Sequence, residues 1–260
     1  MRMPVIAGNW KMYKTAAEAA AFIEEFKSRL GDVQGGEIVL CPPFTALEAA
    51  VRAASSSPIQ IGAQHMHWEE EGAFTGEVSP RMLTAAGCRW VIIGHSERRQ
   101  YNGETDSLVN RRLRSALRWG LIPIFCLGET VAQRQAGETR EVCFSQLEQG
   151  LQGVSEEEVR QVVIAYEPVW AIGTGKNATP EDAQEMIGAL RQRLREIFGP
   201  AAGDAVRILY GGSVRPDNIV ELMSQPDVDG VLVGGASLQV ESFAAIAADG
   251  IGCRRRGGGG

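Results

Sequence analysis

Apolar residues along this chain gather in short runs. Between them lie longer stretches in which apolar positions recur every three or four residues. The runs are Val5–Ala7, Ile38–Cys41, Ile59–Ala63, Trp90–Ile93, Ile122–Cys126, Val162–Tyr166, Val206–Tyr210 and Gly230–Val233. Most are rich in valine and isoleucine, and their shortness suits strands buried on both faces. The stretches between them read as helices. Thr15 with Glu18, and Thr45 with Glu48, have the spacing of a capping box. Ser79-Pro80 and Thr179-Pro180 set a capping hydroxyl before a proline at the first helical position. Ala183, Met186, Ile187, Leu190, Leu194, Ile197 and Phe198 line up as one apolar helix face.

Alternating strand and helix units imply a parallel sheet. Eight such units in one chain of 260 residues imply an α/β fold, a single closed (β/α)8 barrel. The expected domain is 1–252, with 253–260 a flexible arginine and glycine tail. A doubly wound open sheet is the competing architecture. It calls for G-x-G-x-x-G after the first strand, and Gly8-Asn9-Trp10-Lys11 does not supply it.

Composition narrows the setting. The chain is 22% charged and 44% apolar, as a globular protein is, and its net charge of −6 argues against nucleic acid and anionic membranes as partners. An anionic ligand therefore needs a local positive site. The five cysteines, Cys41, Cys88, Cys126, Cys143 and Cys253, include no C-x-x-C pair and fit a reducing compartment. The chain has no signal-peptide pattern and no apolar run of membrane length, so the expected location is the cytoplasm. His65 and His67 lack further ligands at metal spacing, and no metal site is expected.

In such a barrel, the loops at the carboxyl ends of the strands build the active site. Asn9 and Lys11 follow the first strand, and His95, Ser96, Glu97 and Arg98 follow the fourth. Glu167 follows the sixth, Gly211-Gly212-Ser213 the seventh and Gly234-Gly235 the eighth. Taken singly, each has a plainer reading: a solvated lysine, a structural histidine, rim charges, tight turns. Together they put a carboxylate base, an imidazole, a cation and two glycine-rich anion cradles at one mouth. Backbone N–H groups at a helix start suit a phosphate. The expected substrate is a small phosphorylated metabolite.

The stretches AGNWKM (7–12), GAFTGEVSP (72–80), IIGHSERR (92–99), YEPVWAIGTGKNATP (166–180), YGGSV (210–214) and GVLVGGASL (230–238) resemble the triosephosphate isomerase family, in order and over nearly the whole chain. That family is itself the type case of the barrel. The resemblance implies interconversion of dihydroxyacetone phosphate and D-glyceraldehyde 3-phosphate through an enediolate, in glycolysis and gluconeogenesis, with no cofactor. By the same resemblance Glu167 is the base, and neutral His95 donates to the oxyanion. Asn9 and Lys11 add donors and positive potential. Gly173, Ser213, Gly234 and Gly235 hold the phosphate. Glu97 orients Lys11, Ser96 holds Glu167 before closure, and 168–178 form a lid.

The resemblance also implies a homodimer in which the loop carrying Thr75 enters the neighbouring subunit. His65 stands where the family often has asparagine. Another phosphate-binding barrel isomerase, and an inactive barrel serving as a scaffold or binding protein, are the alternatives.

Overall fold

A computed structural model describes residues 2–31, 33–171 and 178–257. Eight parallel strands close into a barrel in sequence order, β1 pairing with both β2 and β8. The strands are β1 (Val5–Asn9), β2 (Glu37–Cys41), β3 (Ile59–Ala63), β4 (Trp90–Ile93), β5 (Ile122–Leu127), β6 (Val163–Tyr166), β7 (Arg207–Tyr210) and β8 (Gly230–Val233).

The strands are buried on both faces because the barrel has a filled lumen and an outer layer of helices. Val5, Ala7, Val39, Cys41, Trp90, Ile92, Ile124, Cys126, Val163, Ala165, Leu209 and Leu232 pack against one another in the lumen. Their neighbours in sequence, such as Ile6, Leu40, Val91, Phe125, Ile164 and Ile208, turn outward to the helices. This is the period-two alternation of a strand with apolar residues at both phases. Trp90, the first residue of β4, is wholly buried, and its indole donates to Gln60 Oε1 at 2.9 Å. The amino-terminal end is thereby filled, and polar chemistry is left to the carboxyl end.

Capping follows the sequence in three of the four expected places. Thr15 and Glu18 form a reciprocal box at helix Ala16–Leu30. Ser79 caps Pro80–Ala85, and Thr179 caps Pro180–Phe198. Thr45 does not cap a helix. Pro43, extended at φ −60° and ψ 156°, leads into a 3-10 turn at Phe44–Ala46 that contains Thr45, and helix Leu47–Ala54 starts after it. Two consecutive prolines, Pro42 and Pro43, fix that entry.

The face of Pro180–Phe198 is buried at Ala183, Met186, Ile187, Leu190 and Leu194, but Ile197 is exposed, since the last turn passes beyond the core. The final helix is Val240–Gly257. It carries helical backbone into the stretch that the sequence assigns to a tail. Among the described residues, no helix is long and apolar enough to cross a membrane.

Candidate active site

A cavity of about 430 Å³ opens at the carboxyl end of the strands. Asn9, Lys11, His95, Glu167, Ser213, Gly234 and Gly235 all line it. Strands β1, β4, β6, β7 and β8 thus bring together groups that are far apart in sequence. Ser96 and Glu97 stand beside it through their bonds to Glu167 and Lys11. Gly173 lies outside the described residues, as does most of the expected lid. Thr75 is exposed on its loop and is not part of the cavity.

Glu167 is almost fully buried, and its backbone N–H donates to the Leu127 carbonyl at 2.8 Å. Its Oε2 accepts from the Ser96 backbone N–H at 3.0 Å, and Oε1 accepts from the Ser96 hydroxyl at 3.4 Å. Oε1 also lies 3.0 Å from His95 Nε2. Burial works to raise the carboxyl pKa. The electrostatic pull and hydrogen bond of the His95 Nε2–H, the Ser96 N–H and Lys11 more than offset it, so the pKa is lowered and the group is an anion. A buried carboxylate with this donor set is a competent base once a substrate displaces its partners.

His95 sits at the turn from β4 into helix Ser96–Asn102. Gly94 makes that turn at φ +73°, where a Cβ would stand 3.1 Å from the Cys126 carbonyl. His95 Nδ1 accepts from the Glu97 N–H at 3.2 Å. A nitrogen that accepts carries no proton, so Nε2 bears the hydrogen and points it at Glu167. Burial lowers the His95 pKa, but the Glu167 carboxylate and Glu97 outweigh it and raise it overall, which favours the cation while Glu167 is its partner and runs against the neutral ring that the resemblance implies. The Nε2–H tautomer is the one that can donate to a developing oxyanion.

Lys11 holds a left-handed backbone at φ 51°. Such a conformation in a residue with a Cβ costs about 1–3 kcal/mol and persists where neighbours enforce it. Asn9 Oδ1 accepts the Lys11 N–H at 3.0 Å, which leaves the Asn9 amide N–H groups free of that contact. Lys11 Nζ meets Glu97 Oε1 at 2.5 Å. A Cβ on Gly234 would stand 3.6 Å from Lys11 Cε, so the ammonium and the last glycine cradle are neighbours.

The glycine pairs differ from each other. Gly234 caps the 3-10 turn Gly235–Leu238, where Ser237 donates twice to the Gly234 carbonyl, at 2.9 Å from its N–H and 2.7 Å from its hydroxyl. Gly211-Gly212-Ser213 does not open a helix, the next one being Ile219–Ser224. Gly211 matters for another reason: a Cβ there would stand 2.9 Å from Glu167 Cγ.

Two polar residues at strand ends escape the sequence reading. Glu129, just past β5, is fully buried and accepts from Trp170 Nε1 at 2.8 Å and from the Tyr166 hydroxyl at 3.1 Å. It ties the residues next to Glu167 to the neighbouring loop. Gln64, just past β3, donates to the backbone carbonyls of Lys11, in the first loop, and of Cys41, at the end of β2. A carboxylate and a carboxamide directly after a strand were the available signals.

A parallel eight-stranded barrel with a carboxylate, an imidazole, an ammonium and glycine-rich turns at its carboxyl mouth is a barrel enzyme of the acid–base, anion-binding kind. The sequence profile of the family described as "Triosephosphate isomerase" matches residues 4–249. Proteins named triosephosphate isomerase from Carboxydothermus hydrogenoformans and Moorella thermoacetica are each 57% identical over 246 residues, covering 95% of this chain and 98% of theirs. One from Chloroflexus aurantiacus is 56% identical with the same coverage. The chain belongs to the triosephosphate isomerase family.

Proposed function

We propose that the chain interconverts dihydroxyacetone phosphate and D-glyceraldehyde 3-phosphate. The observation that carries this reading is the contact between His95 Nε2 and Glu167 Oε1, buried beside Lys11 and Gly234. Glu167 takes the proton from the carbon next to the carbonyl. The electron pair of that C–H bond forms a C=C bond, and the carbonyl π pair moves to the oxygen, giving an enediolate. His95 Nε2–H donates to the oxygen that gains charge, and Asn9 and Lys11 add donors and positive potential. The proton of the neighbouring hydroxyl passes, by way of His95, to the oxygen that gained charge, and Glu167 returns its proton to the adjacent carbon, so that the carbonyl ends on the neighbouring oxygen. The atoms balance within one substrate molecule.

Before substrate enters, Ser96 holds Glu167 through its backbone N–H and its hydroxyl. Substrate entry exchanges the Ser96 and His95 contacts for the substrate C–H. Ser213, Gly234 and Gly235 hold the phosphate. Exclusion of water by the bound substrate strengthens each of these interactions.

The working unit in this reading is a homodimer in the cytoplasm, acting in glycolysis and gluconeogenesis. Phe74 is 42% exposed, and Met12 and Tyr13, next to Lys11, are 93% and 58% exposed. Apolar side chains in such positions favour a covering partner. The test is a coupled assay of both triose phosphates with the purified chain. Turnover in both directions is expected. Phosphate binding without turnover would favour the inactive scaffold.

A further inference from the structure

The strained backbone of Lys11 needs an enforcing partner, and the structure shows one from two strands away in the barrel. Gln64 Nε2 donates to the Lys11 carbonyl at 2.8 Å and to the Cys41 carbonyl at 2.8 Å. Both partners are carbonyl oxygens, so the nitrogen of the carboxamide faces them and both of its hydrogens are used. The Cys41 carbonyl also accepts the Trp10 N–H at 3.1 Å. Asn9 Oδ1 takes the Lys11 N–H. The Trp10-Lys11 pair is thus gripped from the end of β2 and from Gln64, while Asn9 holds its other side.

We infer that Gln64 is a positioning residue for the reaction, fixing the left-handed backbone of Lys11 so that its ammonium stays at the substrate. Gln64 sits directly after β3, a rigid element, and reaches loop one by its side chain alone. Neither main-chain pairing nor the Glu97 contact can do this work. β1 ends at Asn9, two residues before Lys11, and Glu97 holds only the far end of a long side chain. With the carboxamide removed, Lys11 relaxes to an ordinary φ, and the start of its side chain is redirected. The inference rests on the reading of Lys11 as a substrate-binding residue.

The test is a double-mutant cycle on the whole protein. Gln64→Met keeps the volume and removes both donors. The displacement of Lys11 is expected to lower kcat/KM by about 10²-fold, the order that a misplacement of about 1 Å produces. In a Lys11→Ala background, the same change is expected to cost less than about 3-fold, because a residue acting through Lys11 has nothing left to position. If Gln64→Met does not fold, as judged by circular dichroism, Gln64→Asn is used, which keeps the amide but falls short of both carbonyls. Losses that multiply in the double variant overturn the inference and make Gln64 a structural residue only. Full activity of the folded Gln64 variant, with Lys11→Ala impaired, overturns it too. Full activity of Lys11→Ala alone overturns the reading of the site on which it rests.

Discussion

Nε2 of His95 and Oε1 of Glu167 lie 3.0 Å apart, and both side chains are buried. Each holds the other in its working form. Glu167 stays ionised because His95 and Ser96 donate to it, and His95 keeps its proton on Nε2 because Glu97 occupies Nδ1. His95→Asn is expected to lower kcat by about 10²–10³-fold, the range for loss of one oxyanion donor. It also removes the leading influence that lowers the Glu167 pKa. That pKa then rises, the base ionises only at higher pH, and the acid limb of kcat/KM moves upward. A pH–rate profile of both proteins checks the shift.

Acid stability centres on His65. Its ring nitrogens stand 3.4 Å from Glu77 and 3.4 Å from Glu104, and Glu104 is already paired with Arg98 and Arg112. Burial, then Arg98 and Arg112, push the imidazole down to about 2. The unfolded chain takes up a proton near the usual value of about 6.5, and the folded one does not until far lower. The unfolded state therefore binds more protons between these values, and stability falls as pH drops through that window. The limiting slope is about 1.4 kcal/mol per pH unit for this one group. Urea unfolding midpoints from about pH 4 to about pH 7, the upper part of that window and just above it, are expected to fall more steeply with falling pH for the natural chain than for His65→Asn.

The dimer reading is tested at Thr75. The loop around it is braced internally: the His67 N–H donates to the Val78 carbonyl at 2.8 Å, and the His67 ring packs on Phe74 at 4.2 Å. A shaped loop with an exposed aromatic is built to fit something. Thr75→Arg places a charge in the contact and is expected to give monomers with reduced activity, since an unpaired charge is costly to bury. Sedimentation velocity and specific activity over a dilution series read both effects. A fully active natural monomer would remove the dimer claim.

Gly211 is expected to tolerate no side chain. The Cβ of Gly211→Ala would stand 2.9 Å from Glu167 Cγ and 3.2 Å from the Tyr166 carbonyl. The carboxylate must shift by a fraction of an ångström, and a loss of about 10-fold or more in kcat follows from the misplacement. Steady-state kinetics beside a thermal melt separate displacement of the base from general destabilisation.

Much of this was legible in the sequence because burial on both faces marks each strand and the chemistry sits where strands end. Glu167 and His95 could be placed at one mouth before any coordinates. What stayed hidden depends on partners distant in the chain. Glu129 looks like any rim carboxylate until Trp170 and Tyr166 fold over it. Arg191, within a helix, reads as a surface charge. It is 3% exposed, and it donates to Asp227 Oδ1 at 2.6 Å and Asp229 Oδ2 at 2.6 Å. Thr45 has the spacing of a cap but is overruled by the prolines before it. Local pattern fixes the element, and the partner fixes the role.

Proton transfer by Glu167 is read most directly from kcat of Glu167→Asp in the coupled triose phosphate assay. The shorter side chain withdraws the carboxylate by about 1 Å and keeps its charge, which is expected to cost on the order of 10²-fold in kcat. KM should change little, because the phosphate contacts are untouched. Natural turnover in the Asp variant would contradict the account.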